Sequence, residues 1–408
     1  VVGGYVDGAS GSAEDNHVVV ESGTVKNFIY GGNIGIASTG HVTGNTVKIA
    51  GGVIGAPVYG GYTNATGHAT GNTVTITGGE IRGHVYGGFT NGDGDVKDNI
   101  VNIGDGAHDL AAGTRIDKSI YGGSNDGGSG TISGNILNVK ASASAQNIRN
   151  FDTINFHFTN TLSPKLTLSD TAGTTIKRLR DITVNGFATI GTSTLIENAN
   201  GITVSEGSSS VSTTGDTAET ILSTDRTGKK IDYTRYIFKG ARTAESSIYH
   251  ETWGGRSVIG NTTTNNTLTI NGTTHRDAYG GWTAGTGTTA AAKNDSTGNT
   301  VNLKAGTVRT IYGGFTSVQT GSATGNKVTI SGGAVTGAGY GKVYGGYLSH
   351  ASATGNATGN TVTITGGSMA DVYGGFTNGT GATTDNTVNL GTATNAVASG
   401  TTIGTIYG

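Results

Sequence analysis

One nine-residue phrase constrains this chain more than anything else in it. Gly71-Asn72-Thr73-Val74-Thr75-Ile76-Thr77-Gly78-Gly79 returns unchanged as Gly359-Asn360-Thr361-Val362-Thr363-Ile364-Thr365-Gly366-Gly367. Each copy is followed by a Val-Tyr-Gly-Gly element, at Val85-Tyr86-Gly87-Gly88 and Val372-Tyr373-Gly374-Gly375. Looser copies fill most of the chain, and a sequence of this kind is a repeat protein before it is anything else. The tyrosine marks the period: Tyr30, Tyr59, Tyr86 and Tyr121, then Tyr279, Tyr312, Tyr344, Tyr373 and Tyr407, spaced 27 to 35 residues apart within each group. An asparagine marks it independently, at Asn45, Asn72, Asn99 and Asn135, then Asn266, Asn299, Asn326, Asn360 and Asn386.

Within a repeat the pattern has period two. In Asn72-Thr73-Val74-Thr75-Ile76, Val74 and Ile76 face one way and the threonines the other. Val47/Ile49, Val101/Ile103, Leu137/Val139, Leu268/Ile270, Val301/Leu303, Val328/Ile330, Val362/Ile364 and Val388/Leu390 repeat the pair. A Gly-Gly turn often follows, then one apolar residue (Ile54, Ile81, Val335 or Met369), then the tyrosine strand. The residue before each tyrosine is β-branched except at Ala278, so alternation places it inside and the tyrosine outside. Three such short strands per repeat cannot bury their apolar faces alone. They predict one coil of a parallel β-helix, an all-β solenoid whose coils stack about 4.8 Å apart. Like residues then form columns. The asparagine column is structural, satisfying backbone groups at a corner. The tyrosines form a candidate exposed aromatic ladder, either packing on itself or offering a platform for sugars or neighbouring proteins.

The array divides the chain into 1–140 and 257–408, separated by 141–256. There the glycines thin out, and 12 of the 25 Lys and Arg residues lie between Arg149 and Arg256 beside 11 acidic residues. This middle part reads as irregular coils of the same solenoid. A protruding β-rich element over 217–254, carrying Lys229, Lys230, Asp232, Tyr233, Arg235, Tyr236, Phe238 and Lys239, is the alternative.

Composition narrows the chemistry. The 74 glycines lack a period of three and there are only two prolines, which excludes collagen. Without cysteine there is no disulfide or thiolate metal site. A net charge of −2 does not suit a nucleic-acid partner. No serine sits in a Gly-Xaa-Ser-Xaa-Gly elbow, Gly341-Lys342 lacks the rest of a phosphate loop, and His250-Glu251 lacks a second zincin histidine. Asp93, Asp95 and Asp98 could suggest calcium, but Val96-Lys97 breaks the run. A carbohydrate-active solenoid needs paired acids on adjacent coils, where this chain carries Thr, Asn or Lys. The sequence therefore predicts a non-enzymatic protein without metal or cofactor.

The phrase Gly-Asn-Thr-Val-Thr-Ile-Thr-Gly-Gly with Val-Tyr-Gly-Gly-Phe-Thr resembles the passenger repeats of large autotransporter adhesins of Gram-negative bacteria. Asn150-Phe151-Asp152-Thr153-Ile154-Asn155-Phe156 is similar to a segment found between such repeats. The resemblance implies a right-handed β-helix, a secreted passenger on the bacterial cell surface, held at the outer membrane through a C-terminal barrel that lies outside this sequence. It further implies attachment to a glycan or protein receptor on a host or bacterial surface. A self-assembling extracellular filament or sheath is the alternative, with a tail spike or sugar-degrading β-helix further behind. The chain opens and closes inside degraded repeat copies (Val1-Val2-Gly3-Gly4-Tyr5 and Ile406-Tyr407-Gly408), as expected of a piece of a longer protein.

Overall fold

The structure is a computed structural model that describes residues 1–35, 38–64, 66–187, 191–214, 218–237, 240–244, 251–258, 261–274, 276–285, 294–337 and 341–408. Phe238, Lys239 and His250 lie outside the described residues. The described residues form strands joined by turns, with a single 3-10 turn at Leu179–Asp181 and no α-helix. They group into two compact units, one of Val1–Val211 with Ile221–Thr234, the other of Ser212–Thr220 with Arg235–Gly408. The chain is a parallel β-solenoid.

A coil contains four strands, one more than the pattern predicts: Ala69–Thr70, Thr73–Ile76, Glu80–Ile81 and Val85–Thr90 make up one of them. The extra strand is the two-residue segment before the asparagine. Each strand pairs in parallel with its copies in neighbouring coils. Val74 is level with Val47 and Val101, and Tyr86 with Tyr59 and Tyr121. In the first unit this generates a six-stranded tyrosine sheet, a seven-stranded Val/Ile sheet, and two sheets of two-residue strands.

The interior is what alternation requires. Val74, Ile76, Ile81 and Val85, one or two from each of three walls, are fully buried, and so are their counterparts in other coils. Each such side chain contributes about 1.5–3 kcal/mol through burial. The end copies differ: Val25, level with Ile54, is half-buried, and in the last coil Val388 is half-buried and Leu390 exposed.

Two backbone features fix the corners. The second glycine of the turn has positive φ at Gly52, Gly79, Gly333 and Gly367. The residue before the asparagine is also left-handed, as Gly44, Gly71 and Gly359, but as Asp15, Asp98, Asn265 and Asp385 in other coils. Asp and Asn are the non-glycine residues that tolerate this region best.

The middle segment mostly continues the coils. Thr153–His157 pairs with Ile136–Val139 on one side and Ile182–Asn185 on the other. Leu166–Leu168 joins Ala143–Ala145 to the strand Gly191–Asn198. The described residues of the 217–254 stretch are divided between the two units. Its residues 221–234 belong to the first unit, where Leu222 and Ile231 enter the core, and its other described residues belong to the second. There Ala241–Ala244 starts the Val/Ile sheet and Thr252–Ser257 the tyrosine sheet. The repeat array thus resumes ahead of residue 257.

Candidate functional site

The tyrosine column exists, but apart from Tyr407 at its end it is not exposed. Tyr30, Tyr59, Tyr86 and Tyr121 stack with centroid spacings of 5.2, 4.9 and 4.8 Å and interplanar angles of 12°, 5° and 17°. Tyr279, Tyr312, Tyr344, Tyr373 and Tyr407 stack at 4.9, 5.2, 4.9 and 4.5 Å. Tyr59, Tyr279 and Tyr344 are buried, and the other candidates at Tyr30, Tyr86, Tyr121, Tyr312 and Tyr373 are half-buried. Part of the cover is the aromatic residue three positions after Tyr59, Tyr86, Tyr279, Tyr312, Tyr344 and Tyr373. Tyr62 and Phe89 form a second stack at 5.3 Å, and Phe315, Tyr347 and Phe376 another at 5.5 and 5.2 Å. These rings meet the tyrosines edge-on: Tyr59 with Tyr62 at 5.1 Å and 71°, Tyr86 with Phe89 at 5.2 Å and 75°. Edge-to-face contact is the favoured geometry for such pairs. The double row packs on itself. Burial, with a smaller contribution from neighbouring phenols, pushes the Tyr30 and Tyr86 hydroxyls up to about 12 and raises those of Tyr59, Tyr312 and Tyr344; burial also raises that of Tyr279, where the smaller contribution comes from the Asp277 and Glu251 carboxylates.

The asparagine column is buried and fully bonded. The Asn72 carbonyl oxygen accepts the backbone N–H of Asn45 at 3.1 Å and its side-chain NH₂ at 3.0 Å. The Asn72 NH₂ in turn donates to the Val42 carbonyl at 3.1 Å and to Asn99 at 3.0 Å. The chain of amides runs from Asn16 through Asn45, Asn72 and Asn99 to Asn135. In the second unit it runs from Asn266 through Asn299, Asn326 and Asn360 to Asn386. Asn16 extends the predicted column by one coil.

Both columns change identity where the array is broken. Arg149 takes the place of a tyrosine, level with Tyr121. Asp152 takes the place of an asparagine, accepting the backbone N–H of Asn135 at 3.3 Å. In the second unit Trp253 stands level with Tyr279, and Arg256 with Trp282. The Arg256 guanidinium lies 4.1 Å from the Trp282 ring centroid, 4.7 Å from Trp253 and 5.0 Å from Tyr236. The Trp253-Gly254-Gly255 signature of this coil is legible in the sequence once tryptophan is admitted at the tyrosine position.

A further column escaped the sequence reading. His41 and His68 stack at 4.8 Å, and His41 Nδ1 accepts the backbone N–H of His68 at 3.0 Å. His68 Nδ1 accepts that of Asp95 at 2.8 Å, and Asp95 that of Thr131 at 2.8 Å. Asp95 thus caps the next coil and pairs with Lys97 at 2.7 Å. Among the described residues no group of three or more His, Asp or Glu is placed to hold a metal ion. Among the described residues no helix is long and apolar enough to cross a membrane. The chain matches no protein-family model, no curated protein and no solved structure at a significant level.

Proposed function

We propose that this chain is a stalk segment of a cell-surface protein, the passenger region of an autotransporter-like adhesin that attaches its cell to other cells or surfaces. The observation that carries the reading is the pairing of repetition with self-satisfaction. In the regular coils the recurrent side chains are occupied by one another, as in Asn72 with Asn45 and Asn99, or Tyr59 with Tyr30 and Tyr86. A column that serves its own neighbours builds length and stiffness, which is what a projecting support needs. Variation is left to the outer loops and to the broken coils, where recognition is cheapest to alter. The repeat phrase resembling autotransporter passengers supplies the secretion route in this reading.

The test is surface accessibility on the cells that make the protein. Intact cells are labelled with an antibody to the chain and treated with external protease. Strong labelling that protease removes, with loss of attachment, is expected. A protein found only after the cells are opened would defeat the reading.

A further inference from the structure

The first unit has a half-open groove of about 460 Å³ where the repeated columns end. Its origin is a shortened coil. Ile136 and Thr153 are level in adjacent coils yet only 17 residues apart. The chain passes from Arg149 through Asn150, Phe151 and Asp152 straight into Thr153–His157. The glycine pair, second aromatic, outer loop and two-residue strand of a regular coil are missing there. Their removal opens the wall beside Ile132, the last residue level with Val96 in the sheet of two-residue strands.

The lining mixes apolar side chains, among them Ile132, Ile148, Ile154 and Ile182, with polar ones that are mostly paired. Arg149 donates to Asp170 at 2.9 Å, and the buried Asn147 donates to the same carboxylate oxygen at 2.6 Å. Opposite them Arg178 donates to Asp181 at 2.8 Å. Phe151, half-buried, brings an aromatic ring to the lining. The two guanidinium groups each carry a carboxylate partner, and the lining adds one further charge of each sign, Lys177 and Asp152, so the groove offers directional donors and acceptors without a block of one charge.

We propose that this groove binds a short neutral carbohydrate. A sugar hydroxyl both donates and accepts, which suits guanidinium–carboxylate pairs held in fixed geometry, and its C–H face suits an aromatic ring. The volume falls in the range of small-molecule sites, about 300–1,000 Å³. An anionic ligand would instead call for several unpaired cations, where Lys177 is the one lining cation without an ion pair among the described residues and Asp152 offsets it; a flat protein partner would not need the recess. For its biological purpose the assignment rests on the attachment reading above; the binding itself does not.

The test is calorimetric titration of the full chain with lactose, maltotriose and N,N′-diacetylchitobiose. A glucuronate-containing disaccharide and an acidic peptide serve as charged comparators. Thr175 lines the groove from an exposed strand position, and Thr175→Trp fills the recess. Val19→Trp, at an exposed position of a regular coil, is the control. The expected result is binding of at least one neutral saccharide, weakened about tenfold or more by Thr175→Trp and unchanged by Val19→Trp. Binding of the charged comparators alone, no binding of the neutral set, or equal binding by Thr175→Trp would overturn the proposal. Surface labelling separates the two readings: a chain that binds sugar but stays inside the cell defeats the adhesin and leaves the groove standing.

Discussion

Gly61 lies over the side-chain amide of Asn72 so closely that a Cβ on the glycine would come 2.6 Å from Asn72 Nδ2. The same relation joins Gly88 to Asn99 and Gly346 to Asn360 at 2.6 and 2.5 Å. The two markers of the repeat are therefore one device: the glycine of the tyrosine strand makes room for the amide column. Gly61→Ala is expected to destabilise by about 1–3 kcal/mol through overpacking. Asn72→Ala strips partners from the Asn45 N–H and the Val42 carbonyl, at about 1–3 kcal/mol for each buried group. Denaturant midpoints of the two variants check this, and a neutral Asn72→Ala would contradict it.

The tyrosine stack is held by its faces. The Tyr59 hydroxyl has no side-chain hydrogen bond among the described residues, while its ring meets Tyr30, Tyr86, Tyr62 and Phe89. Tyr59→Phe should change stability by less than about 0.5 kcal/mol, whereas Tyr59→Ala should cost about 3 kcal/mol or more. Equal losses in both variants would show that the hydroxyl matters instead.

Alkaline titration reads the same stack. A phenol whose folded-state value lies above its unfolded value near 10 keeps its proton longer when folded. Its contribution is fully present below pH 10 and is lost as the pH rises through the folded value, about 12 for Tyr30 and Tyr86. Stability should therefore be flat with respect to these groups below pH 10 and fall between 10 and 12. Phenolate absorbance in the folded protein should lag behind that of the denatured chain. Superimposable absorbance curves would contradict the burial of the columns.

Repeat proteins tolerate the loss of a whole unit, because each coil touches only its neighbours. Deleting residues 59–85 joins Val58 to Tyr86, which occupy successive positions of the tyrosine strand in adjacent coils. The shortened chain is expected to keep its strand signal per residue in circular dichroism and to unfold cooperatively. A collapse of that signal would mean that these coils are not interchangeable.

How far the sequence reveals this arrangement depends on repetition. Val74, Ile76 and Asn72 are legible because identical residues at one period can stack only on themselves. The strand Ala69–Thr70 is not, since two residues show no alternation. The covering of Tyr59 is hidden for a different reason: Tyr62 and Phe89 are visible in the sequence, but their edge-on approach depends on stacked coils. Arg149 at a tyrosine position is the hardest to find, because the Gly-Gly that identifies the strand is lost at the same point. The break that conceals the register is also what opens the groove.

Electron microscopy of the protein on its native cell surface tests the stalk proposal most directly. Single thin projections anchored at one end, decorated along their length by an antibody to the repeats, are the predicted result. Laterally joined or end-to-end fibres of this chain, free of any anchor, would contradict it and move the function to a self-assembling filament.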